Sequence, residues 1–209
     1  MKQGLLIVLS GPSGVGKGTL VRYLKKDSEF KALYSISETT RPRRLKEVNG
    51  RDYYFVSPFF FQNGIKDNRY IEYASYCGNY YGTPKDFVIE NLNAGNSVLL
   101  EIETNGAKQV MDKFRGMYVL TIFLMPPSIE ELEKRIRARD SETEQQIEAR
   151  INLAKEEMKL KDNYDVVLTN YTVNKTIKRF KQAVNNRINY IEAVENGQEV
   201  SPNYIIKRP

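Results

Sequence analysis

A glycine-rich turn between an expected strand and an expected helix restricts the fold of this chain more than any other feature. Residues 5–9 (LLIVL) form a continuous apolar run, which is typical of a strand buried on both faces of a parallel sheet. Gly11, Gly16 and Lys17 then have the spacing of a Walker A loop, and a helical pattern follows over residues 17–26. In such a loop, backbone N–H groups and the helix N-terminus bind phosphate, and the lysine adds a positive charge. The predicted phosphate-binding residues are Gly11, Pro12, Ser13, Gly14, Val15, Gly16, Lys17, Gly18 and Thr19.

One position of this loop departs from the general motif. Gly18 follows the lysine, where the motif has a serine or threonine whose hydroxyl ligates Mg²⁺. Thr19 is next in the chain, but its side chain points about a hundred degrees further around the helix. We therefore expect Mg²⁺ to be held mainly by nucleotide phosphates and water, with no certain protein ligand. Glu101 and Glu103 lie where an acidic residue is expected at the end of a parallel strand.

The rest of the chain alternates between apolar runs and helical patterns. Apolar runs occur at residues 98–102, 119–125 and 166–168, and helical patterns occur at residues 85–94 and 107–114. This alternation predicts an α/β fold: a three-layer P-loop core built on a parallel sheet.

Two regions interrupt the alternation. Residues 34–83 are rich in tyrosine, phenylalanine, threonine and glycine, with strand-like pieces at 53–56 and 70–76, and they predict a small mixed α/β insertion. Residues 128–161 are strongly charged and predict a solvated helical hairpin. Its helices are expected to start at capping boxes, Ser128 with Glu131 and Ser141 with Glu144. We therefore expect one unit over residues 1–209, with its core formed by residues 1–33, 84–127 and 162–209.

Composition excludes several kinds of chemistry. The chain has no histidine, which excludes Ser-His-Asp and Cys-His triads and histidine-ligated metals. Its one cysteine, Cys77, excludes an intrachain disulfide and makes a reducing compartment, the cytoplasm, the expected location. No apolar run is long enough to cross a bilayer, and residues 5–9 are too short for a signal peptide. The net charge of +6 fits either plain solubility or a polyanionic ligand.

Several motifs follow the phosphate loop in a recognisable order. They are SISETTRPRR (residues 35–44), EVNGRDY (47–53), YIEY (70–73), GNYYGT (78–83) and SETEQQIEAR (141–150). With GPSGVGKGT before them, these motifs resemble the guanylate kinase family over nearly the whole chain. The resemblance implies a P-loop nucleoside monophosphate kinase that transfers the γ-phosphoryl of ATP to GMP, with Mg²⁺, and gives ADP and GDP.

The resemblance also implies an acceptor site in region 34–83. Its implied GMP-binding residues are Ser37, Arg41, Arg44, Tyr53, Glu72, Tyr81, Thr83 and Glu101. Their chemistry suits GMP, because arginines and phenolic hydroxyls donate to a monophosphate. A carboxylate matches the adjacent N1–H and N2–H₂ donors of guanine, and a hydroxyl matches its O6 acceptor. We expect Glu101 to contact either metal-bound water or the acceptor.

The helical hairpin is expected to act as a lid over ATP. By the same resemblance, Arg135 lies near the adenine, Arg139 and Arg150 contact the phosphates, and Asn170 lies near the adenine. The implied catalytic residues are Lys17, Arg41, Arg139 and Arg150. They would neutralise charge around the transferred phosphoryl group, and the acceptor oxyanion needs no general base.

Three alternatives remain at this stage. Another nucleoside monophosphate kinase would share the loop and the lid without the set Glu72, Ser37 and Thr83. A non-catalytic guanylate-kinase-like module that binds nucleotides or proteins typically has a degraded phosphate loop. A nucleic-acid-binding protein could use the positive charge, but these cations lie at the kinase motif positions. We therefore expect ATP and GMP as ligands, with no nucleic acid and no membrane partner, in a monomer or a homodimer.

Overall fold

The computed structural model describes residues 3–76, 78–138 and 143–200, with only the backbone of Tyr76. Cys77, Arg139 and Ser141 lie outside this part of the chain. The strands in chain order are β1 (Leu6–Ser10), β2 (Leu33–Tyr34), β3 (Glu38–Thr39), β4 (Tyr54–Phe55), β5 (Tyr70–Tyr76), β6 (Asn79–Pro84), β7 (Val98–Glu101), β8 (Val119–Met125) and β9 (Val166–Thr169). The helices are α1 (Lys17–Leu24), α2 (Pro58–Lys66), α3 (Lys85–Asn93), α4 (Thr104–Lys113), α5 (Ile129–Arg137), α6 (Glu144–Met158) and α7 (Val173–Glu195), with a short 3₁₀ helix at Lys159–Asn163.

The core is a parallel sheet with strand order β2-β7-β1-β8-β9. All four neighbouring pairs are parallel, and β1 lies at the centre between β7 and β8. The predicted parallel sheet and P-loop core are therefore confirmed. Because β7 and β8 flank β1, the carboxyl ends of these three strands meet at one edge of the sheet. That edge is where α/β folds bind ligands.

Helices cover both faces of this sheet, as the continuous apolar runs require. Ile7 and Leu9 of β1 pack in one cluster with residues of α1 and α7, including Phe180. Leu6 and Val8 point to the opposite face and pack with residues of α3 and α4. Side chains alternate along a strand, so the uninterrupted run in β1 fills two cores at once. Each fully buried aliphatic side chain contributes roughly 1.5–3 kcal/mol.

A second, mixed sheet forms the insertion between β2 and α3. Its strand order is β4-β3-β6-β5, with β3 and β4 parallel and the other two pairs antiparallel. The insertion also contains α2, in agreement with the predicted mixed α/β character, although the position of this helix was not predicted. Ser57 caps α2, because its side chain accepts a hydrogen bond from the backbone N–H of Phe60, and Pro58 is the first helical residue.

Helices α5 and α6 form the predicted hairpin, with a small apolar core of their own that includes Leu132, Ile136 and Ile151. Ser128 caps α5 as predicted, and its side chain accepts the Glu131 backbone N–H at 3.2 Å. The second capping box was placed wrongly. Helix α6 is capped by Thr143 paired with Gln146, two residues after the predicted Ser141 and Glu144. Both pairs have the same spacing and chemistry, so the local pattern alone does not separate them.

No helix in the described ranges combines the length and the apolar character needed to cross a membrane.

Candidate active site

The phosphate loop joins the central strand β1 to α1. Lys17 is the first residue of α1 and is only 7% exposed. Its Nζ donates to the carbonyl oxygen of Gly11 at 2.5 Å and to that of Pro12 at 3.4 Å. Nζ also lies 3.3 Å from Oε2 of Glu103, just beyond the end of β7. The ammonium group is therefore held inside the loop, with one carboxylate as its counter-charge.

Two glycines allow the loop to take this shape. Gly11 and Gly16 have φ angles of +145° and +107°, in the left-handed region that side chains disfavour. A Cβ atom at Gly11 would lie 2.3 Å from the carbonyl oxygen of Leu124, and one at Gly16 would lie 2.6 Å from Nδ2 of Asn170. The loop therefore has neither the conformation nor the space for larger residues at these two positions.

The side chains of Asn170 and Arg135 brace the outer side of the loop. Asn170 is buried, and its Nδ2 donates to the carbonyl oxygen of Val15 at 2.9 Å. Its Oδ1 accepts the hydroxyl of Thr176 at 2.9 Å, which fixes the orientation of the amide. Arg135 donates to the carbonyl oxygens of Val15 and Asn170, at 3.4 and 3.1 Å. The structure thus brings both residues to the phosphate loop, and their contact with adenine stays a prediction.

Glu101 lies beside the position where the general motif has a hydroxyl. A Cβ atom built on Gly18 would lie 3.4 Å from Oε1 of Glu101, which shows how closely this carboxylate approaches the loop. The hydroxyl of Tyr34 donates to its other oxygen at 3.3 Å. Burial raises the pKa of Glu101, and the nearby ammonium of Lys17 opposes this rise. The hydroxyl of Thr19 accepts a hydrogen bond from Arg22 at 3.3 Å and thus has a partner within its own helix.

This arrangement fits a metal ion that is held mainly by its nucleotide. The described residues contain no group of three or more histidine, cysteine or acidic side chains that could hold a metal ion alone. Glu101 offers carboxylate oxygen, which is the ligand type that Mg²⁺ prefers. The residues present are therefore compatible with Mg²⁺ bound to phosphates and water, with Glu101 as the carboxylate nearest to the loop.

Arg41 and Arg44 follow β3 in the second sheet. Nη2 of Arg41 donates to both oxygens of Glu47, at 2.8 and 3.0 Å, and Nη1 donates to the carbonyl oxygen of Pro42 at 2.8 Å. Glu47 also accepts the backbone N–H of Arg44 at 2.9 Å. The side chain of Arg44 is 74% exposed, and its Nη1 lies 4.0 Å from Glu47. Arg41 is thus oriented by a carboxylate, whereas the guanidinium of Arg44 extends into solvent.

Tyr53 and Tyr81 lie next to Arg41. The centres of their rings are 6.0 Å apart in an edge-to-face arrangement, and the guanidinium carbon of Arg41 lies 5.6 Å from the ring centre of Tyr53. Burial and the negative charge of Glu101 raise the pKa of Tyr53, so its phenol stays protonated and can donate a hydrogen bond. Two phenols and Arg41 therefore form a compact group of donors.

Glu72 of β5 forms a deeply buried polar contact of the second sheet with Thr83 of β6. Only 4% of Glu72 and 1% of Thr83 are exposed, and the Thr83 hydroxyl donates to Oε1 of Glu72 at 2.6 Å. The other oxygen lies directly against the backbone of Gly106 in α4, where a Cβ atom would approach it to 2.2 Å. Burial raises the pKa of Glu72 to about 7. Ser37 is half-buried and lies on the neighbouring segment, with its carbonyl oxygen bonded to the N–H of Tyr54.

Electrostatic contacts link the two halves of the site through Glu101. This carboxylate influences the pKa of Tyr53 in the insertion, and its own pKa responds to Lys17 in the phosphate loop. The hairpin reaches the same loop, because Nη2 of Arg150 donates to the hydroxyl of Ser13 at 2.8 Å. Arg139 lies outside the described residues, and its role stays a prediction.

Comparison with known proteins supports the family resemblance. A family model described as guanylate kinase matches residues 3–187. The chain belongs to the guanylate kinase family. It is 48% identical over 177 residues to a protein named guanylate kinase from Mesoplasma florum, an alignment that covers 85% of this chain. The same alignment covers 59% of that relative, so the chain spans about three fifths of its length.

Solved structures support the guanylate kinase fold. The crystal structure of guanylate kinase from Anaplasma phagocytophilum superposes with a TM-score of 0.72 and 32% identity, and covers 92% of this chain and 86% of that one. The structure of TT1252 from Thermus thermophilus matches with a TM-score of 0.52 at 18% identity, over 88% and 97% of the two chains. At that identity, the second match supports the fold alone.

Several contacts of this site were not predicted from the sequence. Glu47 orients Arg41, Gly106 supports the carboxylate of Glu72, and Asn170 braces the phosphate loop. The Glu47 contact had a local signal, because an acidic residue follows the basic run by a few positions. The contacts of Gly106 and Asn170 had no local signal, because their partners lie far away in the sequence.

Proposed function

We propose that this chain is an enzyme that transfers the γ-phosphoryl group of ATP to GMP and releases ADP and GDP. The observation that carries the proposal is the buried pair of Glu72 and Thr83 beside the donors Arg41, Tyr53 and Tyr81. A carboxylate this deeply buried is costly for an apo protein, and a ligand with two adjacent N–H donors compensates for that cost.

The guanine base has the donors that this pocket needs. Its N1–H and N2–H₂ groups lie side by side and match the carboxylate of Glu72. The hydroxyl of Ser37 can donate to its O6, and that of Thr83 can do so if its proton turns from Glu72 to the base. Adenine would turn an acceptor nitrogen toward Glu72, so the carboxylate would receive no hydrogen bond from the ring nitrogen of the base. Sites that are built around hydrogen bonds reject such analogues by roughly 10⁴–10⁵ in kcat/KM.

The acceptor phosphate would bind to Arg41, Arg44, Tyr53 and Tyr81. One of its oxygens attacks the γ-phosphorus of ATP, and the bond from that phosphorus to the β–γ bridging oxygen breaks as ADP leaves. The attacking oxygen is already ionised, so the reaction needs no general base, which agrees with a chain that contains no histidine.

Charge neutralisation is the main task of the donor side. Lys17 binds the β and γ phosphates, Arg150 and Arg139 approach them from the hairpin, and Arg135 and Asn170 lie on the adenine side. Bound Mg²⁺ supplies further neutralisation of the phosphate oxygens, and Glu101 is the residue that would contact its water shell. These groups surround the reacting phosphoryl and orient it for in-line transfer.

Closure of two segments over a core would exclude water from this reaction. We propose residues 34–83 as the GMP-binding region, 128–161 as the lid, and 1–33, 84–127 and 162–209 as the core. A complete set of arginines would then form only when both substrates are bound, which suppresses hydrolysis of ATP by water. We further propose that the protein acts in the cytoplasm as a monomer or a homodimer.

A coupled assay for ADP formation tests the proposed activity. The chain is incubated with ATP, Mg²⁺ and GMP, and we expect turnover that depends on GMP. Arg41→Ala should lower kcat by roughly 10²–10³, because it removes a charged donor at the transferred group. Arg43→Ala is the matched control, since Arg43 is the exposed neighbour in the same basic run, and it should stay near wild type. ATP binding without any GMP-dependent turnover would instead favour the non-catalytic module.

A further inference from the structure

Glu157 is a buried carboxylate that the proposed mechanism does not use. It lies near the end of α6, on the hairpin, and only 8% of it is exposed. Its Oε1 accepts the hydroxyl of Thr104, the first residue of α4, at 2.9 Å. The bond therefore joins the hairpin to the core across 53 positions of sequence.

The surroundings of Glu157 are those of the phosphate loop. Burial raises its pKa, the negative charge of Glu103 adds to the rise, and Lys17 and the backbone N–H of Ser13 oppose it. Glu157 therefore approaches the loop from the side of α4. The other charged groups near it, Lys17 and Glu103, are bonded to each other.

Glu157 and Arg150 lie on the same face of α6. They are seven residues apart, which corresponds to about two helical turns and a difference of roughly 20° around the axis. Arg150 contacts Ser13 of the phosphate loop at 2.8 Å, and Glu157 contacts Thr104 at 2.9 Å. Two polar contacts thus attach one helix face to the core. Between them, Ile151 and Ala154 pack in the core of the hairpin itself.

We propose that Glu157 is a positioning residue that holds α6 against the core, so that Arg150 reaches the phosphate loop in the geometry required for phosphoryl transfer. The inference rests on the proposed function. Glu157 touches none of the reacting atoms, and it acts through the placement of Arg150. A displacement of about 1 Å at a catalytic group can lower the rate by roughly 100-fold. Loss of the one buried hydrogen bond near the end of α6 can therefore lower the rate measurably.

The test compares variants at both ends of this bond. Glu157→Ala and Thr104→Val each remove the bond, and each should lower kcat by roughly 30–100-fold while KM for GMP changes by less than about twofold. Glu157→Gln keeps an oxygen that accepts from Thr104 and should stay within about threefold of wild type. The double variant should be no slower than the slower single variant, because both changes remove one interaction.

Glu156→Ala is the matched control, because Glu156 is the exposed neighbour on α6 and both oxygens of its carboxylate accept from Lys159. It should leave kcat unchanged. Calorimetric titration with ADP provides a second measurement, and we expect weaker ADP binding for Glu157→Ala together with unchanged GMP binding. A purely structural role would lower the melting temperature and leave kcat per folded molecule at the wild-type value.

Two outcomes would overturn the inference and leave the proposed function intact: wild-type kcat in Thr104→Val, or equal losses in Glu156→Ala and Glu157→Ala. If Glu157→Ala does not fold, the comparison of kcat between Thr104→Val and Glu157→Gln tests the inference, because both variants preserve the shape of the side chain. Absence of GMP phosphorylation by the wild-type chain would instead contradict the proposed function itself.

Discussion

Replacing Glu72 by glutamine should shift the stability difference from wild type in favour of the variant as the pH rises, and should weaken GMP binding. Glu72 is 4% exposed, and burial raises its pKa from about 4.5 to about 7. The folded protein therefore binds a proton here that the unfolded chain has lost, so its stability falls as the pH rises between these two values. Below about pH 4.5 the carboxyl group is protonated in both the folded and the unfolded state, so its burial does not lower the stability through ionisation. Above about pH 7 the group is ionised in both states, and the full loss of stability from burying the charge is present.

The size of the effect follows from the two pKa values. A difference of about 2.5 pKa units corresponds to about 3 kcal/mol at high pH. At pH 5 most of this cost is absent, and less than about 1 kcal/mol remains. Glutamine is neutral throughout and keeps an oxygen for the Thr83 hydroxyl. The stability difference between Glu72→Gln and wild type should therefore shift by about 2–3 kcal/mol in favour of the variant between pH 5 and pH 8.

Urea unfolding followed by circular dichroism at both pH values measures this shift. Comparison across pH cancels the packing changes that glutamine introduces, because these are present at both values. Glu90→Gln, on the exposed side of α3, is the control and should show no such pH dependence. A stability difference for Glu72→Gln that is the same at pH 5 and pH 8 would refute the argument that burial raises the pKa of this carboxyl.

Two further changes test other parts of the site. Glu47→Gln should weaken GMP binding roughly 10-fold, because the charged contact that orients Arg41 is lost, and it should leave guanosine binding unchanged. Both affinities are measured by calorimetry. Tighter GMP binding by the variant would show instead that Glu47 competes with the phosphate for Arg41. Gly16→Ala should weaken ADP binding at least roughly 10-fold, because its Cβ would meet Asn170 and strain the loop. Gly116→Ala is its control, with a φ of +101° but open space around the Cβ, and equal ADP affinities in the two variants would contradict the steric argument.

The fold was largely predictable where hydrophobic runs are long. Strands β5 and β8 have the bounds that the sequence predicted, because aromatic, aliphatic and β-branched residues dominate both segments and favour a strand. Strand β2, with two residues, is too short to show any period. In helix α2, three consecutive phenylalanines follow Pro58 and hide its periodicity, although Ser57 and Pro58 are a helix-start signal.

The site was predictable where its residues are local to one motif, and less so where distant segments meet. The phosphate loop is one continuous segment, so its spacing alone indicates its chemistry. The bond from Asn170 to Val15 spans 155 positions, and that from Thr104 to Glu157 spans 53. Such contacts are created by the strand order of the sheet and by the docking of α6, and neither leaves a local pattern in the sequence.

Substrate preference tests the central claim most directly. The chain is assayed with ATP, Mg²⁺ and each of GMP, AMP, CMP, UMP and dTMP, and kcat/KM is determined for every acceptor. Because Glu72 is buried beside Thr83 and Gly106, we predict that kcat/KM for GMP exceeds that for AMP by a factor on the order of 10⁴. A kcat/KM for AMP equal to or above that for GMP would contradict the assignment of Glu72 as the group that recognises guanine.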